Sequence, residues 1–222
     1  MTVSPGRLTA ASSFSVFTTL LGALARPGRA FPLPRDGAAT APPALVPALA
    51  LADETTRVAV LADSPVWGEV VHSLTGASVS TISDNDIHDQ AAVDLRRVDL
   101  VIALCAITPG VVELMAPAAR SVLAARARVV LAVEDTAAPP AKSGADDTVT
   151  VTVRGPGASE GRRVAVRGLD RDVVAAIDQV NSAGNGGLDL WLASSSGTVI
   201  GVPRTCRIES EDRRSLGRRS RV

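Results

Sequence analysis

Residue types that commonly perform acid–base, nucleophilic or metal chemistry are scarce in this sequence. His72 and His88 are the only histidines, and neither lies beside a plausible serine or cysteine nucleophile. Cys105 and Cys206 lie far apart, and they form neither a metal-binding pattern nor a disulfide framework. Both are expected to be reduced thiols, with Cys105 acting as a small hydrophobe inside an apolar run. We therefore predict no catalytic, cofactor-binding or metal-binding residue from these side chains.

Two short stretches can be compared with known ligand-binding loops, and neither matches. The acidic stretch 84–89 fails as an EF-hand, because the sixth and twelfth positions hold Asp89 and Leu95 instead of glycine and glutamate. The Gly-Pro-Gly at 155–157 joins two predicted strands and does not open a helix, so it is not a phosphate loop. An acidic solvated loop and a hairpin turn are the better interpretations.

The composition predicts a folded protein with an aliphatic core. The chain has 222 residues, of which 46% are hydrophobic but only 2% aromatic, and it contains no tyrosine. Its formal net charge is zero, whereas a generic nucleic-acid binder needs a basic excess to neutralise phosphates. The charge argues against nucleic-acid binding, and the two cysteines, expected as reduced thiols, favour a cytoplasmic protein. No apolar run reaches the length of a transmembrane helix, so no membrane association is expected.

The first predicted element is a helix that begins after a cap at Ser12 or Ser13 and ends at the Pro27-Gly28 pair. Its apolar stretch could be compared with a signal peptide, but only Arg7 precedes it as a basic residue. We interpret it as an amphipathic helix with one buried face. That face is predicted to carry Phe14, Phe17, Leu21 and Leu24.

Strands and helices alternate between residues 57 and 135, as expected for an α/β layer structure with a partly parallel sheet. Strands are predicted at 57–62, 98–106 and 129–133, with a possible outer strand at 77–83. Helices are predicted from Pro43 to Ala52, from Ser64-Pro65 to an end at Gly76, and from Thr108 to about Arg126. The fold class is therefore α/β, with a mixed sheet between two helical layers.

The C-terminal part is predicted to form β-hairpins. Strands 148–154 and 162–167 make the first hairpin, and a helix starting at Asp170 follows it. In the second hairpin, Leu188, Leu190 and Leu192 alternate with other residues, which is the period of a strand with one buried face. Residues 198–202 are predicted to form the returning strand.

Two short turn segments are the candidate partner contacts. Pro203 should end strand pairing, which leaves Arg204 and Thr205 just past a strand end, where the guanidinium could reach a partner or hold the turn. Arg26, with Pro27 and Gly28, follows the first helix. Cations suit a helix C-terminus, so a solvated Arg26 is favoured over an anion or partner contact.

The predicted organisation is a single α/β domain at 11–209. It is flanked by a flexible segment at 1–10 and a disordered basic tail at 210–222, with a flexible, low-complexity connector at 136–147.

Four stretches together resemble one known family. They are Phe17–Gly28, Leu49–Asp53, Val153–Gly157 and the closing segment Gly187–Glu209, with its Gly-Leu-Asp-Leu strand and its Pro-Arg-Thr. In this order and spacing the chain resembles the PhnH family, the H subunit of the bacterial carbon–phosphorus lyase complex.

The resemblance implies a fold akin to that of pyridoxal-phosphate-dependent transferases, and a structural or accessory subunit, usually dimeric, that docks on other core subunits. The G, H, I and L components of that system are associated with attaching phosphonate to the ribose of ATP. Pyridoxal chemistry requires a Schiff-base lysine, and the only lysine here is Lys142, inside the mobile connector. We therefore expect no pyridoxal cofactor, no active site in this chain, and partners that include the G, I and J subunits and a second copy.

The sequence also departs from the family pattern. Ser12, Phe14 and Thr18 replace the Asp, Gln and Arg that members commonly carry around the first-helix phenylalanine, and 57–59 replaces a Pro-Val-Trp run. The region 76–147 matches poorly. A different class of function therefore stays open: a stand-alone α/β enzyme on a small phosphorylated or nucleotide substrate. Such an enzyme would use Thr108 or the acidic loop at the carboxyl ends of the strands.

Overall fold

The computed structural model describes residues 6–83, 97–105, 108–120, 128–137, 148–182 and 187–211. The helices are α1 (Ala10–Ala25), α2 (Val46–Leu51, preceded by a 3-10 turn at Pro43–Leu45), α3 (Val66–Thr75), α4 (Pro109–Arg120) and α5 (Arg171–Ser182). The strands are β1 (Ala30–Pro32), β2 (Arg57–Leu61), β3 (Ser78–Ile82), β4 (Leu100–Ala103), β5 (Arg128–Val133), β6 (Asp135–Ala137), β7 (Thr148–Gly155), β8 (Ala158–Arg167), β9 (Asp189–Ser194), β10 (Thr198–Val202) and β11 (Arg207–Ser210).

The central sheet has seven strands in the order β1-β10-β9-β5-β4-β2-β3. Five neighbouring strands, β3, β2, β4, β5 and β9, run parallel to one another. Strand β10 pairs antiparallel with β9, and β1 pairs antiparallel with β10. The predicted mixed sheet is confirmed. Parallel strands are joined by helices that cover the sheet, and the alternation of strands and helices in the sequence reflects this.

A second, antiparallel sheet has the order β11-β7-β8-β6. Its β7–β8 hairpin confirms the hairpin predicted for 148–167, with a register shift between Val153 and Gly155. The flanking strands β6 and β11 were not predicted from the sequence. Both are short, and each pairs with a strand distant in sequence, while β11 is also bonded to α5 through Asp178, which accepts from Arg207 and from the Ile208 amide.

Two apolar clusters fill the space on the two faces of the central sheet. Helices α1, α2 and α3 contribute Val16, Leu49 and Val71 to the cluster on one face. The cluster on the other face receives Val112 from α4 and Ile177 from α5, together with the inner side of the second sheet. Helices on both faces were predicted, but the second sheet as part of one outer layer was not.

The β9 strand is buried on both faces, which corrects the prediction of a strand with one buried face. Trp191 and Ala193 are 2% and 1% exposed, as fully buried as Leu190 and Leu192. The reason is that both faces of the sheet are covered at β9: Trp191 and Ala193 pack in the cluster that includes α1, and Leu190 and Leu192 pack in the cluster on the opposite face. Its pairing with β10 across the Ser194–Gly197 turn was predicted correctly.

The cap and the buried face of α1 both differ from the prediction. Thr9 caps the helix, because its side chain accepts a hydrogen bond from the Ser12 amide at 3.1 Å. The buried side carries Val16, Leu20 and Ala23. Three of the four residues predicted to be buried are exposed, namely Phe14 at 70%, Phe17 at 42% and Leu21 at 50%.

Two other predicted helix ends are confirmed. Gly76 terminates α3 in a left-handed conformation, with φ of 76°, and its amide donates to the His72 carbonyl. Asp170 caps α5, since its carboxylate accepts from the Asp172 amide at 3.1 Å. Among the described residues, no helix has the length and apolar character needed to cross a membrane.

Candidate functional site at the amino edge of the central sheet

The Asp189 carboxylate binds Arg204 at three points. Its Oδ1 accepts from the Arg204 backbone amide at 3.1 Å and from Nε at 3.2 Å, and its Oδ2 accepts from Nη2 at 2.7 Å. Each side chain is 23% exposed. The Arg204 guanidinium is thus tied to the first residue of β9, which holds the turn, and its role as a partner contact stays a prediction.

The turn from Pro203 to Cys206 carries the chain from one sheet to the other. Strand β10 ends at Val202, as expected from the missing amide hydrogen of Pro203. The Cys206 amide then donates to the Pro203 carbonyl at 2.8 Å, and β11 begins in the second sheet at Arg207. Thr205 is exposed at the tip of this turn.

The turn containing Arg26, Pro27 and Gly28 is fixed against the same region. Pro27 and Gly28 are buried, and the Gly28 amide donates to the Gly201 carbonyl at 3.1 Å. Gly28 has φ of 71°, a conformation that suits glycine. Arg26 is exposed, and both the solvated cation and the partner contact stay predictions for it.

A third turn, 155–157, completes this arrangement. A Cβ on Gly157 would lie 3.0 Å from both the Ala25 carbonyl oxygen and Pro27 Cδ, and one on Gly155 would lie 2.6 Å from Cys206 Sγ. We call the three segments 26–28, 155–157 and 203–206 the three-turn junction. Three of the four sequence stretches that carry the family resemblance therefore meet here, held by close backbone packing.

Helix α1 joins this region through backbone contacts that admit only the smallest residues. A Cβ on Gly201 would lie 2.5 Å from the Ala23 backbone carbon. The Trp191 indole donates from Nε1 to the Leu20 carbonyl at 3.1 Å. These contacts fix which side of α1 faces the sheet, and they explain why Phe14, Phe17 and Leu21 lie on the outside.

Cys206 is the buried residue of the 203–206 turn, with 1% of its surface exposed, and this burial raises the pKa of its thiol. A thiol with a raised pKa stays protonated near neutral pH and is a poor nucleophile. Cys105 is also buried, as predicted for it from its apolar run. Both thiols therefore contribute to packing in this structure.

The phenyl ring of Phe31 lies next to two cations at the end of α1. The guanidinium carbons of Arg26 and Arg29 are 5.9 Å and 5.7 Å from the ring centroid, within the range of a cation–π interaction. Both arginines are exposed, and Phe31 is half-buried. Arg26 was a candidate from the sequence, but no sequence pattern indicated that the Phe31 ring lies beside it and Arg29.

The opposite, carboxyl edge of the parallel strands is where an α/β enzyme would bind its substrate. Thr108 follows β4 at this edge, as the alternative function requires, and is exposed. The hydroxyl of Ser194, the last residue of β9, forms hydrogen bonds of 2.8 Å with the Ser196 hydroxyl and with the hydroxyl of Thr198, the first residue of β10. The Ser195 hydroxyl donates to the Glu134 carbonyl at 2.5 Å. These hydroxyls tie strands and turns together.

An open cleft of about 210 Å³ lies at the amino ends of β2, β4 and β5. Its lining includes Thr55, Thr56, Asp99 and Arg128. Asp99 Oδ2 accepts from the Arg57 amide at 3.0 Å, so this carboxylate joins two strand ends. This cleft was not predicted from the sequence, because its lining residues come from three separate segments, which lead into β2, β4 and β5.

Several sequence predictions fall outside the described residues. These are the acidic loop 84–89 with His88, the residues 138–147 of the connector with Lys142, and the residues 212–222 of the tail. Within the described part of the chain, no group of three or more His, Cys, Asp and Glu side chains is placed to hold a metal ion. The Nδ1 of His72 contacts the Ala77 carbonyl at 2.8 Å.

The fold and the junction define a mixed α/β protein whose motif residues are packed into structural turns. Residues 127–209 match the family model described as bacterial phosphonate metabolism protein (PhnH). The resemblance to that family is thereby confirmed over β5 to β11. The stretches at 17–28 and 49–53 lie outside the matched range. No curated protein matches the chain.

Proposed function

We propose that this protein is an accessory subunit of a bacterial phosphonate-degrading system, related to the H subunit of the carbon–phosphorus lyase complex. The observation that carries the proposal is the family match over residues 127–209, which implies involvement in phosphonate metabolism. The matched segment contains the Asp189–Arg204 pair and two of the three turns of the junction.

The N-terminal part supports extending this proposal to the whole chain. Gly28 bonds to Gly201, and the Ala23 backbone packs on Gly201, so α1 is built onto the matched segment. We propose one PhnH-like domain at 11–209, with a fold akin to that of pyridoxal-phosphate-dependent transferases. The segments 1–10, 136–147 and 210–222 are proposed as flexible except where the structure shows regular elements: Thr9 caps α1, Thr136 and Ala137 lie in β6, and Ser210 ends β11.

The specific role is support for the transfer of phosphonate to the ribose of ATP, which yields ribose 1-phosphonate 5-triphosphate. The chain itself is proposed to contribute contacts to the other subunits and no reacting group. Its partners would be the cytoplasmic G, I and J subunits, and the free protein would be a homodimer. The junction fits a supporting role, because Arg204 is paired with Asp189 and the Cys206 thiol is packed against the Pro156 carbonyl.

A co-purification experiment tests this role. The tagged chain is co-expressed with the G, I and J subunits of the same organism, and the products are separated by size exclusion with mass detection. Co-elution in one large complex is expected. Assembly of the other subunits without this chain would contradict the proposal and favour the stand-alone enzyme.

A growth experiment tests the pathway independently of assembly. Deleting the gene should abolish growth when a phosphonate is the sole phosphorus source and leave growth on phosphate unchanged. Normal growth of the deletion strain on the phosphonate would contradict a role in phosphonate use.

A further inference from the structure

The solvent side of α1 presents an apolar surface without charge. Phe14, Phe17 and Leu21 are 70%, 42% and 50% exposed, and they lie opposite the buried face of the helix. With the exposed Thr18 between them, these residues are called the α1 stripe. The sixteen residues of α1 include no charged side chain.

The area of the α1 stripe suits the centre of an interface. If a phenylalanine side chain carries about 200 Å² of surface, Phe14 and Phe17 together leave roughly 220 Å² uncovered. Each partner in a standard interface buries about 800 Å². A few aromatic and arginine side chains near the centre of such an interface commonly dominate its binding energy.

The stripe continues into the cationic end of the helix. A Cβ on Gly22, next to Leu21, would lie 3.6 Å from the Phe31 ring, so this ring borders the stripe. Arg26 and Arg29 hold their guanidinium groups near the same ring. In the described part of the chain, no carboxylate forms a salt bridge with either arginine. Two neighbouring cations favour an added carboxylate, which can bond to a guanidinium in a bidentate manner.

Charge argues against a second copy of the chain on this surface. In an antiparallel two-fold contact, Arg26 and Arg29 would face the first turn of the other α1, which has no acidic residue. The exposed amide groups of that turn carry partial positive charge. In a parallel contact the arginines would face each other. Both arrangements place like charges together.

We propose that the α1 stripe, with Arg26 and Arg29, is a docking surface for a different protein that presents an apolar helix face flanked by carboxylates. This inference rests on the proposed accessory role, in which that protein is another subunit of the system. The apolar face covers Phe14, Phe17 and Leu21, and its carboxylates pair with the two arginines.

The experiment compares two double variants with matched controls in the co-purification with the G, I and J subunits. Phe14→Gln with Leu21→Gln removes the apolar side chains but keeps good helix formers. Arg26→Glu with Arg29→Glu reverses the charges. The controls are Val66→Gln, an exposed apolar residue of α3, and Arg7→Glu with Arg154→Glu, two exposed arginines elsewhere. All variants should keep the wild-type circular dichroism and melting curve, because the changed side chains are exposed.

Both double variants should retain about tenfold less of one partner subunit than the wild type, and the controls should retain the wild-type amount. Binding of the wild type should also weaken as salt is raised. Wild-type retention by the Phe14/Leu21 variant would overturn this inference while leaving the accessory role intact. Failure of the wild type to retain any subunit would overturn both. The docking inference would also be overturned if the wild type is a homodimer and the Phe14/Leu21 variant is a monomer, because the α1 stripe would then be covered by a second copy.

Discussion

Asp189 and Arg204 join the start of β9 to the turn that follows β10, with Arg204 donating from its backbone amide, Nε and Nη2 to one carboxylate. The two residues belong to the Gly-Leu-Asp-Leu and Pro-Arg-Thr elements of the closing segment. One ion pair thus closes the hairpin at its open end and fixes the point where the chain leaves the central sheet.

Replacing Asp189 by Asn should lower the free energy of unfolding by about 1–3 kcal/mol, because hydrogen bonds to a charged partner are lost at a mostly buried site. Urea denaturation measures this change. Asp63→Asn is the control, since Asp63 is exposed after β2. A double-mutant cycle with Arg204→Ala isolates the pair, and a coupling energy near zero would contradict the role given to Arg204.

Replacing Gly201 by Ala should destabilise the protein by about 1–3 kcal/mol, the usual cost of overpacking. The added Cβ would lie 2.5 Å from the backbone of Ala23, so α1 would have to move away from the sheet. Gly110→Ala is the matched control, because its Cβ would meet only Thr108 Oγ1 at 3.7 Å. Equal melting temperatures for the two variants would show that α1 does not pack on β10 as described.

Cys206 should react slowly with thiol reagents in the native protein, since it is buried and burial raises the pKa of its thiol. A raised pKa in the folded state means that the folded protein holds this proton more tightly than the unfolded chain. The resulting stability is present below the unfolded thiol pKa of about 8.5 and is lost as the pH rises through the higher folded value.

Alkylation followed by peptide mass mapping measures the reactivity of Cys206. Denaturant should accelerate the reaction sharply, and Cys206→Ala should remove the part of the alkaline loss of stability that this thiol contributes. Rapid alkylation of Cys206 without denaturant, at the rate of a free thiol, would contradict its burial.

The pKa of the exposed Asp53 carboxyl should lie below its ordinary value of about 3.9. The Thr55 and Thr56 side chains both donate to Asp53 Oδ1, which stabilises the charged form. A lowered pKa contributes stability above the unfolded value, and this contribution is lost as the pH falls through the folded value.

A carboxyl titration by NMR measures the pKa of Asp53 directly. Replacing Thr55 by Val should raise the pKa towards its ordinary value, because the side chain of Thr55 is the largest cause of the shift. Thr18→Val, far from this loop in sequence, serves as the control. An unchanged pKa in the Thr55→Val protein would show that this hydroxyl does not hold the carboxylate.

The sequence determined those features of the protein that local pattern encodes. Alternating strands and helices between residues 57 and 135 indicated the mixed sheet, and the Asp170 cap and Gly76 end were set by residues next to them in the chain. The Gly-Leu-Asp-Leu and Pro-Arg-Thr elements indicated the family, which the match at 127–209 supports.

Tertiary structure alone decided which faces are buried and which motif residues meet. The period of α1 allowed either Phe14 or Leu20 to face inward, and the close approach of Ala23 to Gly201 selected Leu20. Likewise, the alternation in β9 indicated one buried face, but apolar layers cover both faces of the sheet, with Trp191 and Ala193 in one cluster and Leu190 and Leu192 in the other. The Asp189–Arg204 contact and the contact of Arg26 with the Phe31 ring were also decided only by tertiary structure. Contacts between distant segments leave no periodic signal in the sequence.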